Sequence, residues 1–111
     1  MKIAFSSTGN GWKENIDIRF GRSKGFFVLN TENNETTFIE NAAYEAEQGA
    51  GTNAAQKIID ENIKVLITGQ IGPRARGILA SEGIKIYTGI GFGTLEEAFE
   101  KYKSGMLSEN S

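Results

Sequence analysis

The chain has 111 residues, twelve lysines and arginines against fourteen aspartates and glutamates, a net charge of −2, and a composition 39% hydrophobic and 23% charged. That suits one compact domain with its own core; no apolar run approaches the roughly 20 residues of a membrane span, and the charge offers nucleic acid no basic field. Cysteine and histidine are both absent, which excludes disulfides, thiolate-held zinc and cysteine-held iron–sulfur clusters within the chain, and removes the usual near-neutral general base.

Met1-Lys2 leads directly into Ile3-Ala4-Phe5, too short an apolar stretch for a secretory signal, so a cytoplasmic location is expected. Lys2 to Ser6 reads as a buried strand, and Ser6-Ser7-Thr8-Gly9-Asn10-Gly11 as its polar exit. With no histidine or lysine pattern to activate them, the Ser6, Ser7 and Thr8 hydroxyls are better explained as strand exit than as nucleophiles. Glu14 and Asp17 follow, but the first strand lacks the acidic residue a metal-dependent nuclease would need. Ile16 to Phe20 alternates apolar and polar residues until Gly21-Arg22-Ser23 breaks the run. Trp12, in a glycine-bracketed loop, would with Phe20 and Phe92 form an aromatic wall or a partner surface; the competing expectation is that Phe20 packs on the sheet, while Trp12 has no assigned place and is open to exposure.

Gly25 to Asn30 and Thr36 to Glu40 form a predicted hairpin around the turn Glu32-Asn33-Asn34-Glu35. Apolar periodicity lapses from Asn41 to Gly51. Thr52 is then the predicted N-cap of a helix whose buried face is Ala54, Ala55, Ile58 and Ile59, closed by Asn62. Val65-Leu66-Ile67 reads as a central strand, Thr68 to Gly72 as a glycine loop, and Pro73 as the first turn of a helix that carries Ala75, Ile78 and Leu79 and stops at Ser81-Glu82-Gly83. Ile84 to Thr88 is the last predicted strand. After a second glycine loop, Gly89 to Gly93, the pattern Thr94-Leu95-Glu96-Glu97 is a capping box opening a helix with Leu95, Ala98, Phe99 and Tyr102 on its buried face. Gly105 should end that helix, giving one domain over residues 1–107 and a flexible tail over 108–111.

The order β-β-β-α-β-α-β-α predicts an α/β fold: a mixed five-stranded sheet with an antiparallel hairpin at one edge and flanking helices. Ligands in such sheets gather beyond the carboxyl ends of the parallel strands. Three helix N-termini there, after Gly49-Ala50-Gly51, Gly69 to Gly72 and Gly89 to Gly93, would favour an anion, with Arg74 and Arg76 adding charge. Each glycine loop is equally accounted for as a strand-to-helix turn. None has the dinucleotide spacing or a following Gly-Lys-Ser/Thr.

Together the Arg19-Phe20-Gly21-Arg22-Ser23 loop, the glycine-rich segment before the first helix, Val65 to Gly72, Gly83-Ile84-Lys85-Ile86-Tyr87 and the Gly93-Thr94-Leu95-Glu96-Glu97-Ala98 helix start resemble the dinitrogenase iron-molybdenum cofactor biosynthesis family. This is the small domain of NifX, NafY and the NifB C-terminus. The resemblance implies a ribonuclease-H-like fold and a non-enzymatic carrier of iron-molybdenum cofactor or its iron–sulfur precursor, working with cofactor-assembly proteins. Carried over by position, the ligand would be sought at Arg19, Phe20, Gly21 and Arg22; at Gly49, Gly51 and Thr52; at Gly69, Gly72 and Arg74; and at Gly91, Gly93 and Thr94. Many members have histidine where Arg19 stands, and some have histidine or cysteine within the stretch matched by Gln48 to Thr52. Here no residue is a direct metal ligand, and outer contacts from Arg19, Arg22, Arg74 and backbone N–H groups would hold the cluster. No catalytic residue is expected. The rival readings are an adaptor or regulatory module of the same fold without a cluster, and a small phosphorylated-metabolite binder or hydrolase.

Overall fold

The computed structural model describes residues 1–42, 49–91 and 93–109; Gln48 and Phe92, both drawn into the sequence reading, lie outside them. The strands are β1 (Lys2–Ser7), β2 (Gly25–Asn30), β3 (Thr36–Glu40), β4 (Ile63–Ile67), β5 (Lys85–Thr88) and β6 (Ser108–Glu109), and the helices are α1 (Ala50–Asp60), α2 (Pro73–Ser81) and α3 (Leu95–Lys103). They form one mixed sheet in the order β3-β2-β1-β4-β5-β6. β1 is central, antiparallel to β2 and parallel to β4; β4 and β5 are parallel, and β6 returns antiparallel to β5.

The sheet therefore has six strands, where five were expected. The sixth consists of Ser108 and Glu109 paired with Thr88 and Tyr87, residues the sequence reading leaves in the tail. Two residues carry no alternation to read. They become a strand because Gly105, at φ +76°, turns the chain back along the open edge of β5 while Leu107 packs on the core.

Alternation along the strands builds two cores. Ala4, Val28, Leu66 and Ile86 face α1 and α2, meeting Ala54, Ile58, Ala75 and Leu79. Ile3, Phe5, Phe27, Val65 and Ile67 face α3, meeting Leu95 and Ala98. Ile63 breaks the parity of β4 by facing α1, and a register shift between Lys2 and Ile3 on the paired strand accommodates it.

Two local points are decided by the structure. Trp12 is partly buried: its ring packs edge-on against Phe5 and Phe27, with centroids 5.7 and 4.9 Å away, and lies 5.4 Å from Phe99. The bare sheet face beside α3 needs cover, and the first loop supplies it. α1 begins at Ala50, two residues before the predicted Thr52 cap. Gly49 occupies the cap position at φ +76°, a left-handed turn available to glycine at little cost, and the Thr52 hydroxyl donates back to the Gly49 carbonyl at 3.0 Å. Phe20 is buried, 5.3 Å from the Phe26 ring.

Candidate functional site

The exit of β1 anchors the loop that follows. The Ser6 hydroxyl is fully buried, donates to the Asp17 carbonyl at 2.6 Å and lies 2.7 Å from the Thr68 hydroxyl at the end of β4. The Ser6 carbonyl accepts the Asp17 N–H at 2.8 Å. A serine so engaged is a structural fixture, in line with its reading as a strand exit.

From there residues 18–20 run alongside residues 68–70. Gln70 donates its N–H to the Ile18 carbonyl, and Phe20 donates to the Gln70 carbonyl at 3.0 Å. Gly69 is required for this pairing, because a Cβ there would lie 2.7 Å from the Ile18 Cα and 2.8 Å from its carbonyl oxygen. A single 3-10 turn, Phe20–Arg22, then settles on the first turn of α1, where a Cβ on Gly21 would come within 2.9 Å of the Gly51 N and Cα. Backbone meets backbone at that point, and only glycine permits it.

The result is a cavity of about 280 Å³ lined by Phe20, Gly21, Gly49, Gly51, Thr52, Gly72, Pro73, Arg74 and Ala75. The N-termini of α1 and α2 both border it. The first intrahelical bonds are Asn53 N–H to Gly49 and Arg76 N–H to Gly72, so the N–H groups of Ala50, Gly51 and Thr52, and of Arg74 and Ala75, have no acceptor within their helices. Neither N-terminus has a side-chain cap. Two positive dipole ends and the exposed Arg74 thus border the same cavity, an arrangement electrostatically suited to an anion.

Phe20, Gly21, Gly49, Gly51, Thr52, Gly72 and Arg74 are thereby brought together from three separate stretches of sequence. Pro73 and Ala75 were not singled out as lining residues, although their place in the first turn of α2 was the available signal. The other predicted residues lie elsewhere. Gly69 is packed under Ile18, away from the lining of this cavity. Arg19 borders an adjoining concavity of about 320 Å³ with Phe20, Gly21, Gln70, Ile71 and Gly72. With Arg22 it borders another of about 450 Å³, completed by Thr8, Asp17 and Lys24. The Arg19 N–H is held by the Asp17 carboxylate at 3.0 Å, and its Nε lies 3.8 Å from the same oxygen.

The third helix N-terminus does not join the cavity. Gly93 accepts the Ile16 N–H at 2.9 Å and borders a concavity with Thr8, Asn15 and Arg19, while Gly91 is exposed with open space around it. Thr94 caps α3 in the predicted capping box: its hydroxyl accepts the Glu97 N–H at 3.2 Å, and its own N–H donates to Glu97 Oε1 at 2.8 Å. That backbone N–H, and then the Thr94 hydroxyl, hold the Glu97 carboxyl below the ordinary glutamate range, against a smaller opposing effect of desolvation. The anion position of α3 is therefore filled by the chain's own carboxylate.

No group of three or more histidines, cysteines, aspartates or glutamates among the described residues could hold a metal ion. Met1 and Met106 are the chain's two methionines, and neither borders the cavity. The donor set is backbone N–H, one hydroxyl and one guanidinium. Such a set fits a polyanion that brings its own complete ligand shell, and does not fit a metal centre that needs a bond from the protein.

A mixed sheet with two helix N-termini opening on a glycine-lined cavity defines a small α/β domain. The chain belongs to the dinitrogenase iron-molybdenum cofactor family, whose family model matches residues 1–105. Its structure is similar to the apo form of the orange protein from Desulfovibrio gigas, with a TM-score of 0.93 and 32% identity over 99% of this chain and 92% of that one. A Thermotoga protein described as NifB-like superposes with a TM-score of 0.84 at 26% identity, covering 97% and 91% of the two chains. An uncharacterized protein of Methanocaldococcus jannaschii is 29% identical over 112 residues, 98% of this chain and 91% of its own length. No helix among the described residues is long and apolar enough to cross a membrane.

Proposed function

We propose that this protein is a non-enzymatic carrier of iron-molybdenum cofactor or an iron–sulfur precursor of it, built on a ribonuclease-H-like fold and working in the cytoplasm with cofactor-assembly proteins. The observation that carries the reading is the pair of uncapped helix N-termini that border one glycine-lined cavity together with Arg74. Gly49 and Gly72 leave the backbone bare at the two helix starts, so a bulky anion can approach the N–H groups there closely, while Gly21 packs on Gly51 and sets the cavity wall. Thr52 adds a hydroxyl and Arg74 a charge-assisted donor.

A cargo held only by hydrogen bonds and charge can leave without breaking a metal–protein bond, which suits transfer better than storage. Membership of the family supports the class of cargo, and the donor set supports how it is held. The same donors would also accept a phosphorylated metabolite, the rival reading of this cavity.

The test is anaerobic. The purified chain is incubated with iron-molybdenum cofactor, separated by size exclusion, and the protein peak assayed for iron and molybdenum. Stoichiometric co-elution that falls at least tenfold in Arg74→Ala is the expected result. A metal-free peak from folded protein, with a melting temperature raised by phosphate esters, would replace the carrier reading with the metabolite one.

A further inference from the structure

We propose that the face carrying Arg19, Arg22 and Lys24 docks an acidic protein surface at the mouth of the cavity; this rests on the carrier reading and names the chemistry of the partner that exchanges cargo. The chain is acidic overall, yet its charge is sorted. From residue 18 to residue 31 the charged residues are Arg19, Arg22 and Lys24, and from 62 to 81 they are Lys64, Arg74 and Arg76, with no carboxylate in either stretch. Five of the fourteen carboxylates, Glu32, Glu35, Asp60, Glu61 and Glu82, lie at the hairpin turn and the C-terminal ends of α1 and α2, while Glu40, paired with Gly25 beside Lys24, stands at the edge of the cationic face.

The three cations border one concavity of about 450 Å³. Asp17 is the carboxylate among its lining residues; its side chain is only 15% exposed and already accepts the Arg19 N–H. Glu14 reaches the Thr8 hydroxyl at the rim, 3.1 Å away. Arg19 and Lys24 remain exposed on this face. Its position matters as much as its charge. Arg19 also borders the neighbouring concavity, which shares Phe20, Gly21 and Gly72 with the cavity between the helix N-termini. A body seated on the cations therefore lies against the cavity mouth, where a cargo could pass across without entering bulk water. A folded acidic surface can confine its charge to a patch of this size, whereas a long nucleic acid carries its charge past the patch and over the acidic remainder of the chain.

The experiment titrates the isotope-labelled full chain with a short Asp/Glu-rich peptide at low salt, following backbone amide signals, and repeats it with a single-stranded oligonucleotide of equal charge. The expected result is saturable binding that moves signals from residues 17–24, weakens about tenfold as added salt screens the charges, and weakens at least tenfold in the Arg19→Glu/Lys24→Glu variant. Arg19→Gln/Lys24→Gln serves the same purpose should the reversed pair fold poorly. Absence of saturable peptide binding, shifts confined to another face, binding indifferent to both double variants, or tighter binding of the oligonucleotide would each overturn the proposal. The two readings separate cleanly: cargo uptake by a chain that ignores the peptide removes the docking face alone. A chain that binds the peptide at 17–24 and takes up no cargo keeps the face and loses the carrier.

Discussion

At Gly51 and Gly77 the same substitution has different meanings. Both are helical, and glycine costs a helix roughly 0.5–1 kcal/mol relative to alanine. A Cβ on Gly77 meets nothing within 4 Å, whereas one on Gly51 comes to 3.7 Å from the Ala75 Cβ, an ordinary contact inside the lining of the cavity. Gly51→Ala and Gly77→Ala should therefore each raise stability by about 0.5–1 kcal/mol in urea denaturation, and only Gly51→Ala should reduce cofactor uptake. Equal uptake in the two variants would move the ligand out of this cavity. Gly21 is the opposite case, since a Cβ there collides with the Gly51 backbone. Its role in packing is visible only once the 3-10 turn has been placed on α1.

Among the elements, α3 is the most self-contained. Its start is written in four consecutive residues, Thr94 to Glu97, and its last turn carries Lys101 and Lys103 against the negative dipole end. Thr94→Ala should cost about 1 kcal/mol, the usual worth of a threonine N-cap, measured by chemical denaturation at neutral pH. The pH dependence has a definite sign. Glu97 has a lower pKa folded than unfolded, so the stabilisation it brings is complete above the ordinary glutamate value of about 4.3 and is lost as pH falls through the lower folded value. Removing the Thr94 hydroxyl takes away the second of the two donors and should weaken that acid-side loss in part; an unchanged acid limb would mean that the hydroxyl does not act on the Glu97 carboxylate. α1 was less legible, because its true cap, Gly49, works through a backbone angle and not through a side chain. The β2–β3 hairpin matched its predicted bounds, as two short runs rich in aromatic and β-branched residues around an Asn-Asn turn are a purely local signal.

Across the whole molecule one sheet separates two cores, and the chain should unfold as a unit because β1 and β4 contribute side chains to both. Ile58 is fully buried beneath α1, on the opposite face from Trp12. Ile58→Ala is expected to cost about 2–5 kcal/mol and to shift the Trp12 fluorescence transition and the far-ultraviolet transition together. Transitions that separate would show that the α3 side holds its structure independently. The structural likeness extends over 99% of the chain for the orange protein and 97% for the Thermotoga protein, so the cavity and the sorted charges sit on the shared scaffold and not on an appended segment.

Element types, the order of strands and helices as far as α3, the family and the absence of any cysteine or histidine donor followed from the sequence, because periodicity, capping and composition are read locally. Tertiary structure decided what depends on meeting across the chain. It seated Trp12 on an open sheet face and drew Ser108 and Glu109 into a strand along β5. It also divided the glycine loops, joining those before α1 and α2 in one cavity while closing the N-terminus of α3 with its own glutamate. Every glycine loop looks alike in one dimension; which of them share a cavity is set by how the backbones pack, at contacts such as Gly21 on Gly51 and Gly69 on Ile18.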